Sequence, residues 1–191
     1  MANRYFVATG NYSDVASWST ASGGSAGASV PGASDDVFLN AGSSQAVLDS
    51  YSETNQNSTF ALRSGSFTGL AQSFTNTNSS ILTSSKFYLK KTGLPTGNAT
   101  VYLYAHSGTY GTSSLPTGTA LATSSTFDVS TLTTSYALVS FGFPDSYTMT
   151  AGTYYTIAIE YSGGSAGNTL DVGIDTTSPT HGGNEAYYGS G

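Results

Sequence analysis

Two histidines, His106 and His181, are the first candidates for catalysis, because imidazole is the side chain that changes its charge near neutral pH. Each adjoins turn residues, in His106-Ser-Gly and His181-Gly-Gly. The chain has no cysteine, which excludes thiol nucleophiles and thiolate metal sites. No Gly-x-Ser-x-Gly elbow precedes a helical pattern. The sequence therefore favours loop histidines in solvent over a Ser-His-Asp triad.

Paired carboxylates would be the other route to catalysis, because a glycosidase needs two that face each other. Glu160 with Asp171 or Asp175 are the nearest candidates, and all three belong to the acidic second half of the chain. Nothing in their spacing selects them as a pair. The sequence therefore predicts a protein that is not an enzyme.

Acidic residues in loops make calcium the metal to consider, since Ca²⁺ takes carboxylate and carbonyl oxygens. Asp35 and Asp36 stand in a Gly- and Ser-rich turn, and Asp171 and Asp175 join Asn168 near another loop. Neither group follows the EF-hand pattern. The other interpretation is that Asp35 and Asp36 cap their turn through side-chain to backbone hydrogen bonds. We expect no cofactor, with Ca²⁺ at Asp35 and Asp36 as the weaker alternative.

Tyrosine is the remaining chemical feature, with 14 residues of this type. On a period-two pattern, Tyr102 and Tyr104 stand opposite Val101 and Leu103, and Tyr154 stands opposite the apolar row of its own strand. Outward tyrosines can stack on sugar rings, since the ring has an apolar face and a polar hydroxyl. They serve equally well at protein interfaces. The third interpretation is ordinary cross-strand packing on a surface.

Charge is scarce and unevenly placed in this chain. Charged residues make up 8% of the sequence, and the formal net charge is −6. All five basic residues lie in the first 91 positions, so no Lys or Arg occurs from Thr92 to Gly191. Binding to nucleic acid requires cations that neutralise phosphates, and binding to an anionic membrane requires them too. We expect neither partner.

Strand signals recur from Phe60 onward, separated by clusters of Gly, Pro, Asn or Ser. Apolar residues alternate with a period of two, and no window shows a helical repeat. The predicted inward rows are Ile81/Phe87/Leu89, Val101/Leu103/Ala105, Ala137/Val139/Phe141/Phe143 and Tyr155/Ile157/Ile159. This pattern predicts an all-β fold, an antiparallel β-sandwich of the jelly-roll kind preceded by a small β-rich N-terminal module.

Composition divides the chain into three segments. Residues 1–50 form the small β-rich attachment module, 51–59 a polar linker, and 60–191 the sandwich domain. The N-terminus lacks an apolar run after its basic start, so it does not resemble a secretory signal. No stretch approaches the length of a transmembrane helix. We expect synthesis in a host cytoplasm without a signal peptide.

Short motifs in both parts of the chain carry a resemblance to a known group of proteins. The N-terminal ones are Arg4-Tyr-Phe-Val7, Trp18-Ser19, Ser22-Gly-Gly24, Gly27-Ala-Ser-Val-Pro31 and Ala33-Ser-Asp-Asp-Val37. They resemble the N-terminal module of many tailed-bacteriophage virion proteins and large bacterial surface proteins. The later ones are Gln72-Ser-Phe74, Phe87-Tyr-Leu-Lys-Lys-Thr-Gly93, Val101-Tyr-Leu-Tyr104, Ala151-Gly-Thr-Tyr-Tyr155 and His181-Gly-Gly-Asn184. They are similar to a jelly-roll module of phage structural and tail-fibre proteins.

The resemblance implies a non-enzymatic virion structural protein, of the head-decoration or tail-fibre type, on the surface of a phage particle. Its partners would be other virion proteins and copies of itself, in symmetric homo-oligomers such as trimers. We place the attachment or inter-subunit surface at Trp18, Val30, Pro31 and Phe38. Similar chains carry a Trp-bearing strand after the last motif, so we expect this chain to continue beyond Gly191. The alternative is a carbohydrate-binding module or adhesin that binds host glycans through the outward tyrosines.

Overall fold

The chain forms two compact units, Met1–Val47 and Leu48–Gly191. The computed structural model describes residues 3–6, 18–20, 27–31, 36–39, 47–77, 79–177 and 179–189. In the first unit, β1 (Asn3–Phe6) pairs with β2 (Trp18–Ser19) antiparallel and with β3 (Asp36–Leu39) parallel. These strands make a three-stranded sheet in the order β2-β1-β3.

The second unit is an antiparallel β-sandwich, which confirms the predicted fold class. One sheet has four strands in the order β10-β6-β12-β4, and its strands are β4 (Ser58–Leu62), β6 (Ser80–Thr92), β10 (Ala137–Met149) and β12 (Thr169–Ile174). The other has six strands, β5 (Gly69–Thr75), β7 (Asn98–Ser107), β8 (Leu115–Thr123), β9 (Phe127–Asp128), β11 (Tyr154–Glu160) and β13 (Glu185–Tyr188). Its order is β13-β5-β11-β7-β8, with β9 paired to β7.

The core of the sandwich follows the alternation of the sequence. In β7, Val101 and Leu103 are fully buried, and in β11 Tyr155 and Ile159 are buried beside them. Because side chains alternate across a strand, the residues between these positions face outward. In β10, Phe141 is 2% exposed, as its predicted inward row requires. The rows on β7 and β11 are therefore confirmed.

The inward row predicted for β6 is wrong at one end. Ile81 is 54% exposed, whereas its neighbour Leu82 is 5% exposed and belongs to the core. The register between β10 and β6 shifts between Gly142 and Tyr147, where β10 contains extra residues. A bulge of this kind re-aims the side chains around it, so strict alternation does not continue through it.

The segment 51–59, predicted to be a linker, lies inside the second unit. Asn57 Nδ2 donates to Asp175 Oδ1 at 2.5 Å and to Thr177 Oγ1 at 2.6 Å. Tyr51 Oη donates to Asp175 Oδ2 at 2.6 Å. These bonds attach the segment to the residues that follow β12, which is why a polar stretch is folded here.

Helical structure in the described ranges consists of two short 3₁₀ turns, Glu53–Asn55 and Val129–Thr131. The second is capped by Asp128, whose Oδ1 accepts from the Ser130 N–H at 2.9 Å. Hydrogen bonds from Ser130 hold the pKa of the Asp128 carboxyl below its ordinary value. No helix among these residues has the length and apolar character needed to cross a membrane.

Candidate functional site

The outer face of the six-stranded sheet has an unusual floor of small residues. Ala71, Ala158 and Ala186 lie side by side on β5, β11 and β13, and all three are buried. They form a cluster separate from the main core, packed against the rings of Tyr104 and Tyr188. The floor is therefore covered by two tyrosines that lie over the sheet.

Both tyrosine hydroxyls meet at one carboxylate. Tyr188 Oη donates to Glu160 Oε1 at 2.7 Å, and Tyr104 Oη donates to the same oxygen at 3.0 Å. The ring of Tyr188 reaches Glu160 by crossing Gly69, where an added Cβ would lie 2.5 Å from the ring. Glycine at this position lets the ring lie close to the backbone. Glu160 Oε1 therefore joins the two tyrosines.

The hydroxyls of Tyr104 and Tyr188 are held in their neutral form. Burial raises the pKa of each hydroxyl well above its ordinary value, and the hydrogen bond to Glu160 raises the pKa further. A phenolate beside a carboxylate would be a pair of like charges, so both effects favour the protonated phenol. Both groups therefore remain hydrogen-bond donors at neutral pH.

A groove of about 350 Å³ runs beside these rings. Tyr104 and Tyr188 line one side, and the segment from Leu115 to Gly118 of β8 lines the other. The register between β7 and β8 jumps at this place, because Leu103 pairs with Ala122 whereas Ala105 pairs with Thr117. The extra residues of β8, between Thr117 and Ala122, thus lie opposite Tyr104, and Gly118 at their start also lines the groove.

A second group of rings lies on the same face, two residues further along β7. Tyr110 and Tyr154 are stacked, with ring centroids 4.3 Å apart and an interplanar angle of 16°. His106 contacts Tyr154 with ring centroids 5.5 Å apart. We call His106, Tyr110 and Tyr154 the ring cluster. Tyr154 is 44% exposed, so the cluster presents aromatic surface to solvent.

The structure brings Tyr102, Tyr104 and Tyr154 to one face, where the alternation predicted them. Tyr102 and Tyr104 have ring centroids 5.9 Å apart. Sequence reasoning missed Tyr188 and considered Glu160 only as a catalytic acid. Neither has a local signal, because both reach the groove only through pairing between distant strands.

The two histidines do not form a catalytic triad among the described residues. His106 Nε2 lies 2.8 Å from Ser114 Oγ, but Ser114 is 1% exposed and therefore closed to a substrate. His181 Nδ1 accepts from the Gly183 N–H at 3.0 Å, so its Nε2 carries the proton and donates to Asp49 Oδ2 at 2.9 Å. This hydrogen bond to Asp49 raises the pKa of His181. Both ring nitrogens of His181 are thus engaged.

The carboxylates considered as a catalytic pair serve separate networks. Glu160 holds the two tyrosines on the six-stranded sheet, whereas Asp171 belongs to the four-stranded sheet and is 4% exposed. Asp171 accepts from Thr92 Oγ1 and from Thr169 Oγ1, each at 2.6 Å. Each carboxylate is thus committed to its own set of hydroxyls.

One of the two acidic residues considered as calcium ligands lies outside the described part of the chain. Asp35 lies outside the described residues, and Asp36 is the first residue of β3. Asn168 Oδ1 accepts from the Leu94 N–H at 2.8 Å. Within the described ranges, no group of three or more His, Asp or Glu side chains is placed to hold a metal ion.

The residues expected at the attachment surface have different environments. Trp18 is 1% exposed in this structure, and its role in attachment stays a prediction. A large aromatic side chain gains most by leaving water, which accounts for this burial. Val30 is 38% exposed and Pro31 is half-buried. Phe38 lies within β3, in register with Tyr5 of β1.

Comparison with known protein families, with curated proteins and with solved structures finds no match for this chain. The chemistry that the site can perform is therefore inferred from the positions of its own side chains. It offers fixed aromatic rings, a carboxylate with its hydroxyl donors, and an apolar groove beside them. Such a site suits recognition.

Proposed function

We propose that this chain is a non-enzymatic virion structural protein, displayed on a phage particle in symmetric copies. The first unit attaches it, and the sandwich is the exposed part. The observation that carries the proposal is the division into the units Met1–Val47 and Leu48–Gly191. Each unit contains one of the two groups of motifs that resemble phage virion modules, which supports a division of roles between attachment and display.

The polar character of the sandwich surface supports the proposal. On the four-stranded sheet, Thr59 Oγ1 and Tyr136 Oη lie 2.7 Å apart, and the rings of Tyr136 and Tyr88 are stacked at 4.9 Å. The hydroxyl and aromatic groups of this surface thus contact neighbouring side chains of the same sandwich. With no Lys or Arg after Lys91, this surface does not attract phosphate backbones.

Deletion of residues 1–47 tests the role of the first unit. We expect the full-length chain to co-purify with phage particles in a density gradient, detected with antibodies against residues 48–191. The deleted form should remain in the soluble fraction, with the β-sheet circular dichroism of the sandwich retained. Gly142→Ala is the matched control in the second unit, since a Cβ there meets open space.

Two results would overturn the proposal. One is a full-length chain that is absent from particles while the particles are intact. The other is a deleted form that still decorates them at the level of the full-length chain, because attachment would then not require the first unit.

A further inference from the structure

We propose that the outer face of the six-stranded sheet binds a neutral glycan, with one pyranose ring seated in the groove against Tyr104 and Tyr188. The groove is part of the sandwich unit alone, so this inference stands apart from attachment to a particle. Four features of the site carry it: preformed rings, suitable polar atoms, charge and length.

The rings are fixed before any ligand arrives. Tyr104 and Tyr188 are tied through their hydroxyls to Glu160 Oε1, and their faces pack on the alanine floor. A side chain that is already ordered loses little conformational entropy on binding. Fixed aromatic rings are suited to the flat C–H face of a pyranose, which is apolar on one side and hydroxylated at its rim.

Polar atoms near the rings match the hydroxyls of a sugar. Each tyrosine oxygen donates to Glu160 and can still accept a hydrogen bond from a ligand. Thr117 adds an exposed hydroxyl on the opposite wall. A few polar atoms in an apolar groove are the usual composition of a small-molecule site.

Charge selects a neutral sugar over an acidic one. The groove lining contains no basic residue, and Glu160 places a carboxylate at the meeting point of the two hydroxyls. Sialylated, uronic or sulfated glycans would carry a second anion to this place with no cation to offset the repulsion.

The length of the aromatic surface indicates an oligosaccharide. The ring cluster begins at His106, two residues beyond Tyr104 on β7 and therefore on the same face. One apolar side chain from a second copy would fill the groove and leave that cluster uncovered. A chain of sugars would contact both groups of rings.

Binding to a printed array of neutral, sialylated and sulfated oligosaccharides tests the inference with the full-length protein. We expect binding to neutral members, followed by calorimetry with the strongest of them. Tyr104→Ala and Tyr188→Ala should each weaken that binding about tenfold or more. Thr117→Arg, at an exposed position, should block the groove without disturbing the core.

Two controls separate the groove from general effects. Tyr136→Ala removes a half-buried tyrosine whose ring stacks on Tyr88 of the four-stranded sheet, and it should leave the affinity unchanged. Tyr104→Phe keeps the ring and should lose less affinity than Tyr104→Ala. Circular dichroism verifies the fold of each variant.

Four outcomes overturn the inference. They are silence of the array toward neutral glycans, preference for acidic ones, preference for choline as a cationic probe, and full affinity in Thr117→Arg. Dimerisation by analytical ultracentrifugation that Thr117→Arg abolishes would assign the groove to a second copy of the chain instead. Association of the same variants with phage particles is measured separately. A failure to bind glycans therefore does not count against the proposed attachment to particles.

Discussion

Replacing Glu160 by alanine should free the two tyrosines of the groove at once. The carboxylate accepts from Tyr188 Oη at 2.7 Å and from Tyr104 Oη at 3.0 Å. Hydrogen bonds to a charged acceptor contribute about 1.5–3 kcal/mol each when they are shielded from water. All three side chains are half-buried, so water replaces part of what is lost. We expect a loss of about 2 kcal/mol in the free energy of unfolding.

Urea denaturation followed by circular dichroism measures this loss. A protein of this size has an m-value of about 2 kcal/mol/M, so the midpoint should fall by about 1 M. Glu160→Gln keeps an oxygen that accepts hydrogen bonds and should cost less than half as much. A midpoint for Glu160→Ala within about 0.2 M of the parent chain would refute the reasoning, because the two bonds would then contribute almost nothing.

Tyrosine titration gives an independent readout of the same contact. The raised pKa of Tyr104 and Tyr188 means that their contribution to stability is complete below pH 10.0 and is lost as pH rises through the higher folded pKa. Burial is the first cause and remains in Glu160→Gln, so the pKa of both groups should fall only part of the way. The difference in tyrosinate absorbance between the two proteins isolates these groups from the other tyrosines. Identical curves would contradict the shared carboxylate.

Three further results are expected. The hydrogen bond that His181 makes to Asp49 raises the pKa of His181, so it should add stability below about pH 6.5, and that stability is lost as pH rises through the folded pKa. Thermal melts between about pH 5 and 8 should show this slope in the melting temperature, and Asp49→Asn should flatten it. Leu103→Ala removes a fully buried side chain and should cost about 3 kcal/mol in urea denaturation. Gly183→Ala should destabilise the sandwich, because its Cβ would overlap a backbone carbonyl of β5, whereas Gly142→Ala should unfold at the midpoint of the parent chain. Equal midpoints for the last pair would show that the loop around position 183 relaxes freely.

The bulges lay beyond reach of the sequence pattern. The row through Ile81 was predicted from spacing alone, but the register shift between β10 and β6 exposes that residue and buries Leu82. The bulge of β8 opposite Tyr104, which borders the groove at Gly118, has the same origin. A bulge depends on how two strands are paired, and the alternation within one strand carries no record of it.

The polar segment 51–59 shows a similar limit. Its composition is typical of a linker, yet Tyr51 and Asn57 bond to Asp175, which lies far along the chain. A polar side chain that is considered by itself indicates a position exposed to solvent. Hydrogen bonding to a distant partner turns the same residues into part of a fold.

The sequence by itself determined the all-β class, the inward rows of β7 and β11, and the outward face that carries Tyr102, Tyr104 and Tyr154. These follow from a period of two, which is a property of each strand alone. Only the tertiary structure decided that Tyr104 and Tyr188 meet at Glu160. The three residues come from β7, β13 and β11, and the hydroxyl partners of Glu160 are 56 and 28 positions away from it in the chain. Their meeting depends on the order of the strands, on Gly69, over which the ring of Tyr188 lies, and on the small residues beneath the rings. Those conditions exist only when the sheet has formed.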